Sequence, residues 1–180
     1  THPRTEPCRP LGRPVVHGLR GSQASNEIKC YMARVTNPRV QEVVETFELL
    51  DEWTERYRYL IELGGELAPL PDEERVDTNK VKGCMSQVWL VGYAEGGIMH
   101  FRADSDAHIV RGLVALVLRI FDQTSATSVL ETDHAKVLDE LGLGKHLSPG
   151  RNNGLHSMIA RIKKLAAAAI ESEPTETIDA

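Results

Sequence analysis

Apolar residues in the first half of the chain recur at helical spacing, in two successive groups. Asn37 followed by Pro38 is typical of a helix start, because asparagine caps free backbone N–H groups and proline suits the first turn. Asp51 is the cap candidate for the second helix, and Gly64-Gly65 together with the run Pro69-Leu70-Pro71 are predicted to end it. The pattern predicts two helices, with inner faces formed by Val40, Val43, Val44, Phe47 and Leu50, and by Trp53, Tyr57, Leu60, Ile61 and Gly64.

The middle of the chain carries strand patterns. After a polar linker at about 72–79, residues 87–93 are rich in strand-forming side chains, and residues 98–103 alternate between apolar and polar. Gly96 and Gly97 lie between the two segments and favour a tight turn. The two segments are therefore predicted to pair as an antiparallel hairpin.

Helical patterns return after the hairpin. Residues 107–121 are apolar on nearly every side, which predicts a central, buried helix. Asp104, Ser105 and Asp106 precede it and are predicted to cap it. Three further helices are predicted, at 126–131, at 133–141 where Gly142 stops it, and from Ser148-Pro149 onward with an inner stripe of Leu155, Ile159, Ile162, Ala166 and Ala169.

This order of elements, helices, then a hairpin, then helices, predicts an α+β fold. We expect a small antiparallel sheet of about three strands, with several helices packed on one face. The folded domain is predicted to span residues 37–172. Residues 173–180 are acidic and without an apolar period, so we predict a frayed tail.

Residues 1–31 differ from the rest of the chain. They hold five Lys/Arg against two Asp/Glu and four prolines, with no sustained apolar period. The segment is predicted to be a disordered extension, or a remnant of cloning or upstream translation. A targeting peptide is the rival interpretation, but the prolines interrupt the amphipathic helix that such a peptide needs.

Composition excludes several classes of function. The formal net charge is −5, and an acidic domain is a poor partner for the phosphates of nucleic acid. Apolar stretches are too short to span a membrane, and we identify no signal peptide. The three cysteines, Cys8, Cys30 and Cys84, provide no disulfide framework, which favours a reducing compartment and a cytoplasmic protein.

Cys84 is the main candidate for chemistry. It follows Gly83, which permits a turn, and it precedes a predicted strand, so a rigid loop could present it. Lys80 and Lys82 are close in sequence, and their charge is predicted to favour the reactive thiolate. The alternative is a buried cysteine that acts as a small apolar side chain. Local sequence alone leaves both interpretations open.

Four sequence motifs add to the evidence from Cys84. They are YLIELG at 59–64, VKGCMSQVWL at 81–90, DSDAHIVRGL at 104–113 and HLSPGRNNGL at 146–155. In order and spacing they resemble the SufE family of sulfur-acceptor proteins, which also contains the CsdE-type acceptors. The resemblance spans about residues 38–168. Two positions depart from the family's usual pattern: Met85, where glutamine is common, and Gly150, where serine is common.

The resemblance implies a fold similar to the SufE/IscU-like fold, and a function as a sulfur acceptor and carrier. A SufS- or CsdA-like cysteine desulfurase would hand persulfide sulfur to Cys84, and the sulfur would pass to an iron–sulfur scaffold complex. The pyridoxal phosphate belongs to the desulfurase, and no cofactor, metal, nucleic acid or membrane is expected for this chain. Whether the protein forms a homodimer is left open by the sequence.

Supporting residues follow from the same resemblance. Arg151, in the first turn of the last predicted helix, could steady a thiolate or persulfide anion, with a plain surface arginine as the alternative. Asp106 and Met85 are candidates for partner contact, and Lys82 for thiolate stabilisation. His146 could hydrogen-bond near the cysteine loop, although a lone histidine is more often structural.

Three other functions are alternatives to a sulfur acceptor. A cluster-building scaffold needs several thiolate ligands, and the folded domain offers one cysteine. A cysteine-dependent hydrolase needs a histidine base, and no motif supports one. A non-catalytic adaptor of the desulfurase would leave Cys84 inert.

The resting position of Cys84 is also predicted. We expect its loop to lie against apolar side chains, with Val81 and Met85 turned inward and Gly83 as a pivot for outward movement.

Overall fold

The computed structural model describes residues 37–172. The predicted extension at 1–31 and the predicted tail at 173–180 lie outside these residues, and the 37–172 domain boundary stays a prediction. Within the described part the elements are α1 (Pro38–Glu48), α2 (Trp53–Glu66), β1 (Val88–Glu95), β2 (Ile98–Ser105), α3 (His108–Phe121), β3 (Thr124–Ser125), α4 (Ala126–Glu131), α5 (His134–Glu140), α6 (Leu143–His146) and α7 (Pro149–Ser172).

The sheet is antiparallel and has the strand order β1-β2-β3. β1 and β2 pair along their whole length, from Val88 opposite Ser105 to Glu95 opposite Ile98. Gly96 and Gly97 form the turn with φ of 57° and 76°, a region that glycine adopts without steric penalty. β3 adds a two-residue edge to β2. The predicted hairpin and the α+β fold are confirmed.

One face of the sheet is covered by helices. Its buried positions alternate along the strands, as a sheet with one packed face requires: Val88, Leu90, Met99, Phe101 and Ala103. α3 packs against β2, α2, α1 and α7, and most of its apolar side chains are buried, as predicted. No helix in the described part is both long and apolar enough to cross a membrane.

α2 ends at Glu66, before the Pro69-Leu70-Pro71 run as predicted, but Gly64 and Gly65 lie inside its last turn and do not interrupt it. The reason is a close approach between helices. A side chain at Gly64 would come within 2.7 Å of the Gly112 backbone in α3. Gly64 therefore serves helix packing, and its helix-breaking tendency is outweighed by burial of the α2–α3 contact.

Two capping predictions are wrong. Glu52, not Asp51, is the N-cap of α2, and Ala107 is the N-cap of α3; neither cap makes a side-chain hydrogen bond. Asp104 lies buried at the end of β2, where it contacts Arg75 and Arg111. The cap predicted at Asn37 is confirmed, since its side chain accepts from the Arg39 backbone N–H. The predicted linker folds as two 3-10 turns, Asp72–Glu74 and Asp77–Asn79.

Candidate functional site

Cys84 lies on a short loop whose two ends are joined by backbone pairing. The Val81 N–H donates to the Val88 carbonyl at 2.8 Å, and Lys80 pairs with Trp89 in an antiparallel bridge. Val81 and Val88 are both buried, so the base of the loop is anchored in the core. Gly83 has φ of +86°, a conformation that favours glycine. The loop therefore has a rigid base and a permissive residue directly before the cysteine.

The far end of the loop is held at Gln87. Its backbone N–H donates to Asp106 Oδ1 at 3.0 Å, and its carbonyl accepts from the Asp106 N–H at 3.3 Å. The Ser105 hydroxyl donates to the same carbonyl at 2.8 Å. Asp106 therefore fixes the loop to the segment before α3. Asp106 holds the cysteine loop in this way, and does not cap α3 as predicted.

The tip of the loop runs along the first two turns of α7. The Cys84 thiol donates a weak hydrogen bond to the Gly154 carbonyl, with 3.6 Å between sulfur and oxygen. A β-carbon at Gly154 would lie 3.0 Å from Cys84 Sγ, and one at Gly150 would collide with Met85 Sδ. Glycines in α7 therefore leave the space that the loop occupies.

An open recess of about 340 Å³, which includes space open to solvent, surrounds the half-buried cysteine. Its walls come from the loop, from α3 and from α7. The lining residues are mostly apolar: Cys84, Met85, Ser86, Val88, Val110, Leu113, Gly150, Arg151, Gly154, Leu155 and Met158. Such walls limit the contact of the sulfur with water while leaving a route to it.

Burial raises the pKa of the Cys84 thiol above its usual range. This is opposite to the predicted effect of Lys80 and Lys82. Lys82 is exposed, and its charge is screened by solvent, whereas the thiol loses hydration in the recess. The resting cysteine is therefore biased toward the neutral thiol.

Two predicted residues line the recess and are exposed to solvent. Arg151 is exposed, lies in the first turn of α7 and lines the recess, near the cysteine loop as the resemblance implied. Met85 also lines the recess but is 87% exposed, so the expectation that it turns inward is wrong. The Met85 side chain lies over Gly150, which has no side chain that could cover Met85. Val81 is buried, as expected.

His146 is not brought to the recess. Its ring stacks on Trp53, with centroids 3.7 Å apart and planes 18° apart, and its carbonyl accepts from the Tyr57 hydroxyl. Among the residues that line the recess, none is a histidine, aspartate or glutamate. Within residues 37–172, no three His, Cys, Asp or Glu side chains are grouped to hold a metal ion.

Several site residues were not identified from the sequence. Val110, Leu113 and Met158 form walls of the recess, and nothing local separates them from ordinary core residues. Gly154 did carry a signal. Glycine within a helix costs about 1 kcal/mol relative to alanine, so an interior glycine often has a packing reason.

Comparison with known proteins identifies the family. The model of the SufE family, described as an Fe-S metabolism associated domain, matches residues 41–166. A SufE-like protein of Rhizobium meliloti (strain 1021) is 49% identical over 131 residues, covering 71% of this chain and 94% of that protein. A SufE-like protein of Rhizobium etli is 46% identical over 137 residues, covering 72% of this chain and 93% of that protein.

A solved structure has the same fold. The solution structure of a hypothetical protein from Thermus thermophilus aligns with a TM-score of 0.65 at 22% identity, covering 76% of this chain and 98% of that one. The family match and the relatives confirm the resemblance found in the four motifs and support a role in iron–sulfur metabolism. The chain therefore belongs to the SufE family.

Proposed function

We propose that this protein accepts persulfide sulfur from a cysteine desulfurase onto Cys84, stimulates turnover of that enzyme and passes the sulfur to iron–sulfur cluster assembly. One observation carries the proposal: the Cys84 thiol lies half-buried in an apolar recess, on a loop with a fixed base and a glycine before the cysteine. A sulfur carrier needs a thiol that is both protected and presentable.

The transfer is a thiol–disulfide exchange in form. The Cys84 thiolate attacks the outer sulfur of the donor's cysteine persulfide. A sulfur–sulfur bond forms on Cys84, and the bond within the donor persulfide breaks. The products are a Cys84 persulfide and the donor's thiolate, with the proton carried on the transferred sulfur. No external oxidant or reductant is needed, since the sulfur moves without net change in oxidation state.

The recess suits the product of this step. A persulfide exposed to water loses its outer sulfur to other thiols, and apolar walls such as Val110, Leu113 and Met158 limit that access. Arg151 at the mouth supplies a positive charge for the persulfide anion. Arg151 thus acts at the edge of the site, where the sulfur enters and leaves.

Shielding of the Cys84 thiol slows its reaction with sulfur donors in the free protein. The raised pKa of Cys84 lowers the thiolate fraction at neutral pH. Docking of the desulfurase is proposed to draw the loop outward about Gly83 and to release the contacts at Gln87, which hydrates the thiol and places it beside the donor. Activation would then occur only in the complex.

A cysteine hydrolase is disfavoured by the lining of the recess. General-base activation needs a base within hydrogen-bond reach of the thiol, and no described residue that lines the recess is a histidine or carboxylate. A purely non-catalytic adaptor does not explain why glycine residues of α7 make room for a thiol and for its loop.

The proposed partners are those that the resemblance to the SufE family implies. The desulfurase, of the SufS or CsdA type, supplies the pyridoxal phosphate, and this chain contributes its thiol without a cofactor of its own. The acceptor of the sulfur is an iron–sulfur scaffold complex. Both steps are proposed to take place in the cytoplasm, where thiols stay reduced.

Desulfurase turnover tests the proposal. A purified SufS-type desulfurase is supplied with cysteine, and alanine formation is measured with and without this protein. Wild-type protein should raise the rate, and Cys84→Ser should not, since serine is a far weaker nucleophile at neutral pH. Equal stimulation by both proteins would contradict the persulfide mechanism and favour the adaptor. Cleavage of acyl substrates by the wild type alone would favour the hydrolase.

A further inference from the structure

Three consecutive loop residues lie on three small residues of α7. A β-carbon on Gly83 would lie 3.1 Å from Ser157 Oγ, one on Gly154 would lie 3.0 Å from Cys84 Sγ, and one on Gly150 would collide with Met85. Positions 150, 154 and 157 share one face of a helix, because they are separated by four and three residues. The loop therefore runs antiparallel to α7, residue against residue.

Gly154 makes the contact with sulfur. It is buried within α7, a position at which glycine weakens a helix, and the neighbours that a β-carbon would meet are Sγ, Cα and Cβ of Cys84. Non-bonded carbon atoms prefer separations of about 3.5–4.0 Å, so a methyl group 3.0 Å from Sγ would force the sulfur or the loop to move. The space at this glycine is used by the cysteine.

We propose that Gly154 is a positioning residue: its lack of a side chain sets how deep the Cys84 sulfur lies, and so sets the resting reactivity of the thiol. At this depth the thiol donates to the Gly154 carbonyl at 3.6 Å. A thiolate has no proton to donate and would face the negative end of that carbonyl. The contact therefore favours the thiol, in the same direction as burial.

The inference rests on the proposed function only in taking Cys84 as the reacting thiol, and its test needs no desulfurase. Gly154→Ala should shift the Cys84 sulfur outward, to a shallower position in the recess. Iodoacetamide labelling of Cys84 in the free folded protein should become several-fold faster, and the midpoint of its pH profile should move down, because the thiol regains hydration. Labelling is followed on the Cys84 peptide by mass spectrometry, since the chain also contains Cys8 and Cys30.

Gly65→Ala is the matched control. Gly65 is also a glycine within a helix, but a β-carbon there meets no atom within 4 Å. Both variants raise helix propensity, and only Gly154→Ala should change the labelling rate and the pH midpoint. A folded Gly154→Ala protein with the wild-type rate and midpoint would overturn the inference. Failure of Cys84 to gain sulfur from a desulfurase would overturn the proposed function and leave this result unaffected.

A double-mutant cycle covers the case in which Gly154→Ala folds poorly. The partner mutation, Cys84→Ala, removes the sulfur that the new methyl group meets. If Gly154 makes room for that sulfur, Gly154→Ala is destabilising with Cys84 present and neutral or stabilising with Cys84→Ala, as measured by urea unfolding. Equal destabilisation in both backgrounds would show that another neighbour excludes the side chain, and would overturn the inference.

Discussion

Met85 lies directly over Gly150, where a β-carbon would collide with Met85 Sδ. The large thioether fills the space that a side chain at position 150 would take. Met85 is nevertheless 87% exposed, so it presents an apolar surface beside the cysteine.

Gly150→Ser is expected to displace Met85 and with it the loop tip, so labelling of Cys84 becomes faster. Met85→Ala in the same chain should restore the wild-type rate, because it removes the colliding group. Gly144→Ser is the matched control, since a β-carbon at Gly144 meets no atom within 4 Å. If Met85→Ala does not reverse the effect of Gly150→Ser, the two residues are not coupled as the contact implies.

Asp106→Ala should release the end of the loop at Gln87. The lost bond to the Gln87 N–H is near solvent, so the free energy of unfolding should fall by no more than about 1 kcal/mol. Cys84 labelling in the free protein should accelerate, because the loop samples outward positions more often. Asp51→Ala, at another exposed aspartate, is the control. Unchanged labelling in Asp106→Ala would show that the other contacts hold the loop alone.

Asp104 is expected to matter for stability. Its buried carboxylate contacts Arg75 at 2.6 Å and Arg111 at 3.0 Å and accepts from the Leu70 N–H. Asp104→Asn should lower the free energy of unfolding by about 2–3 kcal/mol, because the arginines lose their buried counter-charge.

Glu42→Gln is the comparison for Asp104. It removes an exposed carboxylate 3.8 Å from Arg119 and should change stability by less than about 1 kcal/mol in the same urea titration. Equal effects of the two substitutions would contradict a structural role for the buried network.

The raised pKa of Cys84 predicts a pH dependence. The folded protein keeps the thiol proton to higher pH than the unfolded chain, so the midpoint of the labelling profile should lie higher in buffer than in urea. Between the two midpoints only the unfolded chain has lost the proton, and the free energy of unfolding therefore falls as pH rises. Cys84→Ala should remove that fall. A lower midpoint in the folded protein would show that a nearby charge, not burial, dominates.

The sequence was sufficient for most of the fold, because apolar periods and turn glycines act locally. Gly96 and Gly97 predicted the hairpin turn, and the all-apolar pattern at 107–121 predicted the buried helix. Local sequence does not show the close helix contact at Gly64, because its partner, Gly112, is distant in sequence. Local pattern cannot distinguish a glycine that ends a helix from one that lets two helices approach.

The site was predictable only in part, for the same reason. Cys84 and Arg151 stood in recognisable motifs, and both line the recess. The charges near Cys84 suggested an activated thiolate, but the burial that outweighs them depends on α3 and α7. Local sequence predicts a cap at Asp104, because its arginine partners lie far along the chain.

The central claim is that Cys84 carries sulfur, and mass spectrometry tests it most directly. The protein is incubated with a SufS-type desulfurase and cysteine, alkylated and digested. The account predicts a gain of one sulfur atom, about 32 Da, on the Cys84 peptide, removed by a reducing thiol and absent when the desulfurase is omitted. An unmodified Cys84 peptide, or added sulfur on Cys8 or Cys30 alone, in the presence of an active desulfurase would contradict it.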